Sequence, residues 1–409
     1  MKKIILWLTT FVISFGMFAC GGGESNSSSE AESTVTPTAV AGLEGETYGT
    51  VNAFDSQKDL NTIDLFGHLG RAELNADKKY IKQGEGSLKV IVDANPLKNG
   101  LPTIWQGLDQ TPILRKSYTD FTEVTHVTVN VYNAQASKGA FAISLVTDKG
   151  QGEVKEQTTR TWYDLEPGWN KIVYKPVTQT IPFDGSGKKY VEIISFSFER
   201  DSEDTIYYMD DLKVYRSGTP VPETDDIRVF NEIASFDQAW QVLSVERFSW
   251  TREDVQPKVE QNVDLAYTST GRGGSLKLTF PENTGKVTWP GVLLPEIFFT
   301  NRNLSSFSDD DYFCIDVYTP ANAKAMDYLD IIFTGEDVQE TRYYYAEQNK
   351  LTPGVWQTFK FSVKELRAGN SAAAAVANFD TTRWLYLGIT SKTYETELYI
   401  DNIRIELAK

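Results

Sequence analysis

The chain repeats itself, and this constrains its fold more than any other feature. "TIYYMDDLKVY" (205–215) is echoed near the end by "TELYIDNIRIE" (396–406). Further segments match in the same order. "AFDSQKDL" (53–60) pairs with "SFDQAWQVL" (235–243), and "GEGSLKVIV" (84–92) with "GRGGSLKLTF" (271–280). "IWQGL" (104–108) pairs with "TWPGV" (288–292), and "VTVNVYNA" (127–134) with "FCIDVYTP" (313–320). "TRTWY" (159–163) pairs with "TRYYY" (341–345), and "LEPGWNKIVYKP" (165–176) with "LTPGVWQTFKFS" (351–362). One match of this kind arises by chance. An ordered series at nearly constant spacing marks a tandem duplication of one domain.

Each half reads as β. "SLKVIV", "VTVNVY", "AISLVT", "NKIVYK" and "IISFSF" are short and rich in β-branched and aromatic residues, and many alternate. Turn residues such as "NPLKNG", "PGW" and "DGSGKK" separate them. The one helix-like stretch is "SVKELRAGNSAAAAVANF" (362–379). Halves of this size with short strands predict an all-β chain of two tandem antiparallel β-sandwiches.

The ends and joints differ in composition. "MKK" precedes the apolar run "IILWLTTFVISFGMFA", which stops at Cys20. This resembles a bacterial lipoprotein signal, although Met17 stands where Leu is usual. The resemblance implies a signal peptide over 1–19 and a lipid on Cys20, holding the chain to the cell envelope, facing outside the cytoplasm. Residues 20–46 are rich in Gly, Ser, Glu, Thr and Ala and read as a tether. The first domain then spans 47–215, a polar linker 216–227, and the second domain 228–409. Only Cys20 and Cys314 are present, so a lipidated Cys20 leaves Cys314 without a disulfide partner. The formal net charge of −16 excludes nucleic acid as a partner, whose phosphates need a basic surface.

"GSLK", the Trp-x-Gly turn, "VYN" or "VYTP", "PGW" or "PGVW" and the closing "YxDD" or "YIDN" strand together resemble the galactose-binding-like β-jelly-roll. That superfamily includes many bacterial carbohydrate-binding modules, and the resemblance covers both halves. It implies polysaccharide or oligosaccharide as ligand and other envelope glycan-uptake proteins as partners. It also implies a structural Ca²⁺ in each domain, held by Asp210 with Asp55 and by Asp401 with Asp237. Ca²⁺ takes hard oxygen ligands, and such an ion would clamp the first strand to the last.

Alternation assigns faces. Val127, Val129 and Val131 point inward, leaving Asn130 and Tyr132 outward; Phe313, Ile315 and Val317 do the same for Asp316 and Tyr318. Arg160 shares a face with Trp162, and Arg342 with Tyr344. Each domain is therefore expected to show an outer face carrying an aromatic ring, an Arg and an amide or carboxylate. Pyranose rings stack on aromatics, and their hydroxyls need such planar partners. Trp250, without a counterpart in the first half, is a further candidate platform. Trp105 and Trp289 are expected to plug one end of each sandwich, and Trp169 and Trp356 to lie in the core.

No catalytic motif is legible: the chain has two His, no nucleophile elbow and no phosphate-binding glycine loop. The expected function is non-catalytic glycan capture. Alternatives are an adhesion or scaffold protein, and a polysaccharide lyase if His126, Tyr132 and Arg160 converge.

Overall fold

The computed structural model describes residues 48–66, 71–94, 105–110, 119–120, 124–148, 155–157, 160–176, 190–191, 193–201, 203–216, 218, 225–249, 253–270, 273–282, 290–299, 304–323, 329–334, 341–344, 351–368, 379–389 and 396–408. The expectations for Cys20, Trp250 and Trp289 lie outside the described residues.

The protein is all-β, built from antiparallel sheets. The first module contributes β1 (Tyr48–Asn52), β2 (Ile63–Phe66), β3 (Arg71–Asn75), β4 (Ser87–Val92), β5 (Trp105–Gln110), β6 (Thr119–Asp120) and β7 (Val124–Asn133). It continues with β8 (Gly139–Asp148), β9 (Lys155–Gln157), β10 (Thr161–Leu165), β11 (Gly168–Tyr174), β12 (Tyr190–Val191), β13 (Ile193–Glu199) and β14 (Thr205–Arg216). The second contributes β15 (Val229–Ala234), β16 (Glu246–Ser249), β17 (Lys258–Asn262), β18 (Ser275–Phe280), β19 (Pro290–Leu294) and β20 (Tyr312–Tyr318). It ends with β21 (Leu329–Thr334), β22 (Thr341–Tyr344), β23 (Trp356–Ser362), β24 (Trp384–Ile389) and β25 (Thr396–Glu406). Of the helix-like stretch, Val363–Ala368 is helical, and 369–378 lies outside the described residues.

The duplication holds strand by strand. The sheet carrying the terminal strands runs β11-β7-β14-β4-β3 in the first module, with β1 beside β14. In the second it runs β23-β20-β25-β18-β17, with β15 beside β25. The opposing sheets run β10-β8-β13-β5-β2 and β22-β21-β24-β19-β16. Between the two sheets of each module lies an apolar core. Val127, Val129 and Val131 meet Phe141, Ile143, Phe196 and Phe198 in the first; Phe313, Ile315 and Val317 meet Ile331, Leu385 and Leu387 in the second. The period-2 pattern is what puts these residues, and not their neighbours, inside.

The modules are fused rather than linked. β15 pairs with β25 on one side and with β10 of the first module on the other. A single 12-stranded sheet results. Ile227, expected in the linker, is buried in the first module's core, and Val229 packs against it. Ile233 and Ala234, a few residues on, belong to the second module's core. Arg228 ion-pairs with Asp164 of the first module at 2.8 Å and with Glu406 of the second at 3.6 Å.

Candidate functional site

The repeated "Asp-Asp" and "Asp-Asn" pairs have distinct jobs. Asp211 and Asn402 adopt left-handed backbone, φ 57° and 50°, a conformation Asp and Asn tolerate better than most residues. This kink turns the preceding Asp inward, so that Asp210 and Asp401 are buried. Two residues past the end of the first strand of each module, Phe54 and Phe236 are also left-handed, at φ 56° and 57°. For bulky residues that is strain, and it recurs at the same place in both modules.

These kinks bring the last-strand acid towards the first-strand acid. Asp210 accepts hydrogen bonds from the backbone N–H of Lys82 at 2.6 Å and Gln83 at 2.8 Å. Asp55 accepts from Glu85 at 2.7 Å and Gly86 at 2.9 Å. In the second module Asp401 accepts from the N–H and hydroxyl of Ser269, at 2.7 and 2.9 Å, and Asp237 from Gly274 at 2.7 Å. The acids thus anchor the loop before β4 and before β18. Burial pushes Asp210 up to about 6, with a contribution from the charges of Asp211 and Asp55. Burial pushes Asp401 up to about 7, with help from Asp316. Asp237 is raised well above the carboxylate range by burial and by Asp401 and Glu232.

A cation suits this arrangement. Each pair sets a buried last-strand carboxylate near a second one, half-buried at Asp55 and buried at Asp237, and Asp210 Oδ1 is buried with no hydrogen-bond partner. No cluster of three or more acid, His or Cys side chains exists among the described residues, so backbone carbonyls would have to complete a Ca²⁺ shell.

Beside the acids, on the outer face of the terminal-strand sheet, each module carries four packed aromatics. In the first, Tyr80 stacks on Tyr208 at 4.1 Å, while Tyr132 meets Tyr80, Tyr208 and Trp169 edge-on. In the second, Tyr267 stacks on Tyr399 at 4.6 Å, while Tyr318 meets Tyr267, Tyr399 and Trp356. Trp169 and Trp356 are therefore half-buried on an outer face and not in the core. Tyr80 and Tyr267 escaped the sequence reading. The signal was "NADKKY" (75–80) against "NVDLAY" (262–267). Asn75 and Asn262 bond the buried hydroxyls of Ser87 and Ser275, at 2.9 and 3.0 Å. Asp77 and Asp264 cap the short 3₁₀ turn that carries the Tyr, each at 3.0 Å.

The expected composite faces do not form. Asn130 and Tyr132 lie on β7, in one sheet; Arg160 and Trp162 lie at β10, in the other. The jelly-roll chain crosses between sheets from β7 to β8, which separates them. Trp162 is buried against Phe230, Ala140 and Ala142 at the seam between modules and is closed to ligand. Asp316 faces outward from β20 but is covered: Arg404 at 3.0 Å, Asn402 at 3.0 Å and Thr358 at 2.7 Å occupy its carboxylate. Arg342 and Tyr344 stand opposite the core residues Phe333 and Ile331, with Tyr343 opposite Ile332. Their strand is thus one residue out of step with the first module, and their side chains lie outside the described residues.

Arg160 has a different setting. The outward face of β8 and β13 presents Ser144, Ser195 and Ser197, each no more than 2% exposed. Arg160 Nε donates to Ser197 Oγ at 3.1 Å. Although they face outward from the sheet, these hydroxyls are shut off from solvent, while Arg160 at their edge is half-buried. Backbone register sets Asp109 of β5 opposite Ser195, and Trp105 opposite Glu199; the side chain of Trp105 lies outside the described residues. In the second module Tyr386 and Gly388 replace Ser195 and Ser197. The Tyr386 ring lies across the sheet, with its hydroxyl where a Cβ on Gly388 would sit (2.1 Å away) and its edge 2.7 Å from a Cβ on Gly291. Tyr386 clusters with Leu293 and Ile332, flanked by Phe248 and Trp384. The same stretch of outer face is therefore polar in one module and covered by aromatic and aliphatic groups in the other.

No family model matches the chain, and no curated protein matches it. Solved structures are similar to it. The N-terminal tandem CBM22-1–CBM22-2 domain of Paenibacillus barcinonensis Xyn10C is 12% identical, with 88% of this chain and 96% of that chain covered and a TM-score of 0.27. The family 11 carbohydrate-binding module from Clostridium thermocellum, in complex with a β-1,3-1,4-mixed-linked tetrasaccharide, is 11% identical; 41% of this chain and 95% of that chain are covered, with a TM-score of 0.29. An exo-β-agarase is 15% identical over 43% of this chain and 25% of its own, with a TM-score of 0.29.

Proposed function

We propose that the chain is a non-catalytic glycan-binding protein of the bacterial cell envelope, anchored by lipid on Cys20. Its ligand site is the outer face of the first module's opposing sheet at Arg160, the half-buried group beside the covered serines. The observation that carries this is Arg160, half-buried and held by Ser197 at the edge of the outward row Ser144, Ser195 and Ser197. A guanidinium at the edge of a face lined with hydroxyls suits a ligand that is itself dense in hydroxyls. In the second module the ring of Tyr386 stands in the equivalent space, so that module supports the first and does not duplicate its site. A Ca²⁺ ion held by Asp55 and Asp210, and another by Asp237 and Asp401, would neutralise the paired carboxylates and tie first strand to last. Catalysis by His126, Tyr132 and Arg160 has no support, because the first two belong to one sheet and Arg160 adjoins the other.

The test is a polysaccharide and oligosaccharide binding screen on the chain, with Arg160→Ala and Tyr132→Ala beside it. Saturable binding lost in Arg160→Ala and kept in Tyr132→Ala fits the Arg160 face. The reverse result moves the site to the aromatic cluster. A folded chain that binds no glycan leaves the protein-scaffold reading in its place.

A further inference from the structure

The duplication makes each module a guide to the other. The short helix Ala239–Leu243 follows the first strand of the second module, as Gln57–Leu60 follows that of the first. Counting from the left-handed Phe54 and Phe236, Lys58 corresponds to Trp240 and Asn61 to Leu243. Lys58 and Asn61 are ordinary exposed polar residues. Trp240 is 45% exposed and Leu243 84%. The helix of the second module docks through its other side, where Gln241 and Val242 are buried. The fold therefore requires neither exposed apolar group, since the first module forms the same helix without them. The indole is also held ready. It stacks on Phe298, with ring centroids 5.9 Å apart and planes 22° from parallel, and Phe298 belongs to the second module's core. The indole N–H donates to the side-chain carbonyl of Gln238. One face of the ring is thus backed by protein, and its exposure belongs to the opposite face and the rim.

We propose that Trp240 is a second glycan contact, with the outward face of its indole taking the C–H face of a pyranose ring; this rests on the glycan reading above. The surface is separate from the Arg160 face and from the face that Tyr386 covers. Those lie on the opposing sheets, whereas the helix packs beside β17, at the edge of the second module's terminal-strand sheet. Area decides for a sugar over a protein partner. Trp240, Leu243 and Ile297, which is 57% exposed in the turn carrying Phe298, are the apolar groups there. Together they expose on the order of a few hundred Å². A stable protein interface needs roughly 800 Å² from each partner. One pyranose needs a single aromatic face for its C–H bonds and planar polar groups for its hydroxyls, and the Gln238 amide stands beside the ring. The ring is already immobilised, so binding costs little side-chain entropy. A lone platform holds a sugar weakly, so Arg160 dominates on short oligosaccharides. A polysaccharide that reaches both contacts gains through effective concentration.

The test is fluorine NMR of the full chain labelled with 5-fluorotryptophan, in nanodiscs of phosphatidylethanolamine and phosphatidylglycerol. Trp240→Lys, which carries the residue of the first module, assigns the Trp240 resonance. Cellohexaose, xylohexaose, laminarihexaose and agarohexaose are the probes. One of them is expected to shift that resonance in the parent and in Arg160→Ala alike. Trp240→Lys is expected to weaken binding of the corresponding polysaccharide about tenfold, and Trp240→Phe to keep most of it, with circular dichroism and melting temperature unchanged in both. Saccharide binding that needs Arg160 but leaves the Trp240 resonance unmoved overturns this proposal and leaves the glycan reading standing. A chain that binds none of the probes overturns both. Broadening of the Trp240 resonance by a spin-labelled lipid in the nanodisc assigns the patch to the membrane and overturns the proposal as well.

Discussion

Trp162 and Phe230 face each other across the antiparallel pair formed by β10 and β15, one residue from each module. Both are buried, and with Ala140 and Ala142 they form a small apolar cluster outside either main core. The backbone around them is continuous sheet. The stretch between the modules is therefore a structural element at its C-terminal end, and the two modules share it.

The first prediction concerns that seam. A fragment ending at residue 215 lacks Ile227 and Val229, which pack on the first module's core, and lacks the strand covering β10. It should be poorly folded, whereas a fragment extended to residue 235 should recover a cooperative melt. In the intact chain Phe230→Ala should cost about 3 kcal/mol, the usual range for removing a buried Phe. Calorimetry would decide this. Two independent transitions in the wild-type chain would contradict the fused architecture.

The buried acids predict a pH dependence with a definite sign. Asp210 is pushed up to about 6 and Asp401 up to about 7. An unfolded Asp titrates near about 3.9. Between those values the folded chain holds protons that the unfolded chain has released. With a chelator present, stability should be greatest at about pH 4 and fall as pH rises to about 7, then level off. The two-unit shift at Asp210 corresponds to roughly 3 kcal/mol at most, and the larger shift at Asp401 to roughly 4 kcal/mol at most. Asp210→Asn and Asp401→Asn should flatten the profile. If Ca²⁺ binds there, adding it should raise the melting temperature, and more at pH 7 than at pH 5. A melting temperature indifferent to Ca²⁺ at pH 7 removes the ion from the proposal.

The aromatic clusters predict a structural effect. Tyr80 and Tyr267 fasten the loop ahead of β4 and β18 onto the sheet through their stacking on Tyr208 and Tyr399. Removing the cap in Asp77→Ala or Asp264→Ala should cost about 1 kcal/mol. Tyr80→Ala should cost more, by loss of ring contacts, and should speed hydrogen exchange in residues 81–86 without changing glycan affinity. A loss of affinity with no loss of stability would make this face the binding surface after all.

The fold was legible because period-2 alternation and an ordered repeat both survive in the residues. Phe313, Ile315 and Val317 are inside, as the alternation requires. The site was less legible because alternation gives a face but not a sheet. It correctly turned Tyr132 and Arg160 outward, yet could not show that β7 and β10 belong to opposite sheets. Nor could it show that an outward face is covered, as Arg404 covers Asp316. The match of "TRTWY" with "TRYYY" misled for a related reason. A one-residue difference in register exchanges the two faces of a strand, and sequence similarity does not report register. Trp162 looked like a platform because the strand that buries it arrives from the next module.

The last prediction separates the equivalent outer faces of the two modules. Arg160 bonds Ser197 on that face of the first module and is the proposed ligand contact, so Arg160→Ala should weaken glycan binding at least tenfold. Arg160→Lys should recover only part of it, since an ammonium cannot reproduce the planar fork of donors. In the second module the phenol of Tyr386 is buried, and burial, with the charge of Asp330, raises its pKa well above the ordinary value. Tyr386→Phe removes a polar group that shares this enclosed space with a carboxylate, which should destabilise the chain by about 1–3 kcal/mol. Glycan affinity should be unchanged, because the ring still stands where the first module has Ser195. Titration calorimetry on the three variants would read both effects. If Tyr386→Phe lost affinity as Arg160→Ala does, the second module would be a binding site in its own right, and the ring would be a sugar contact in place of a filler.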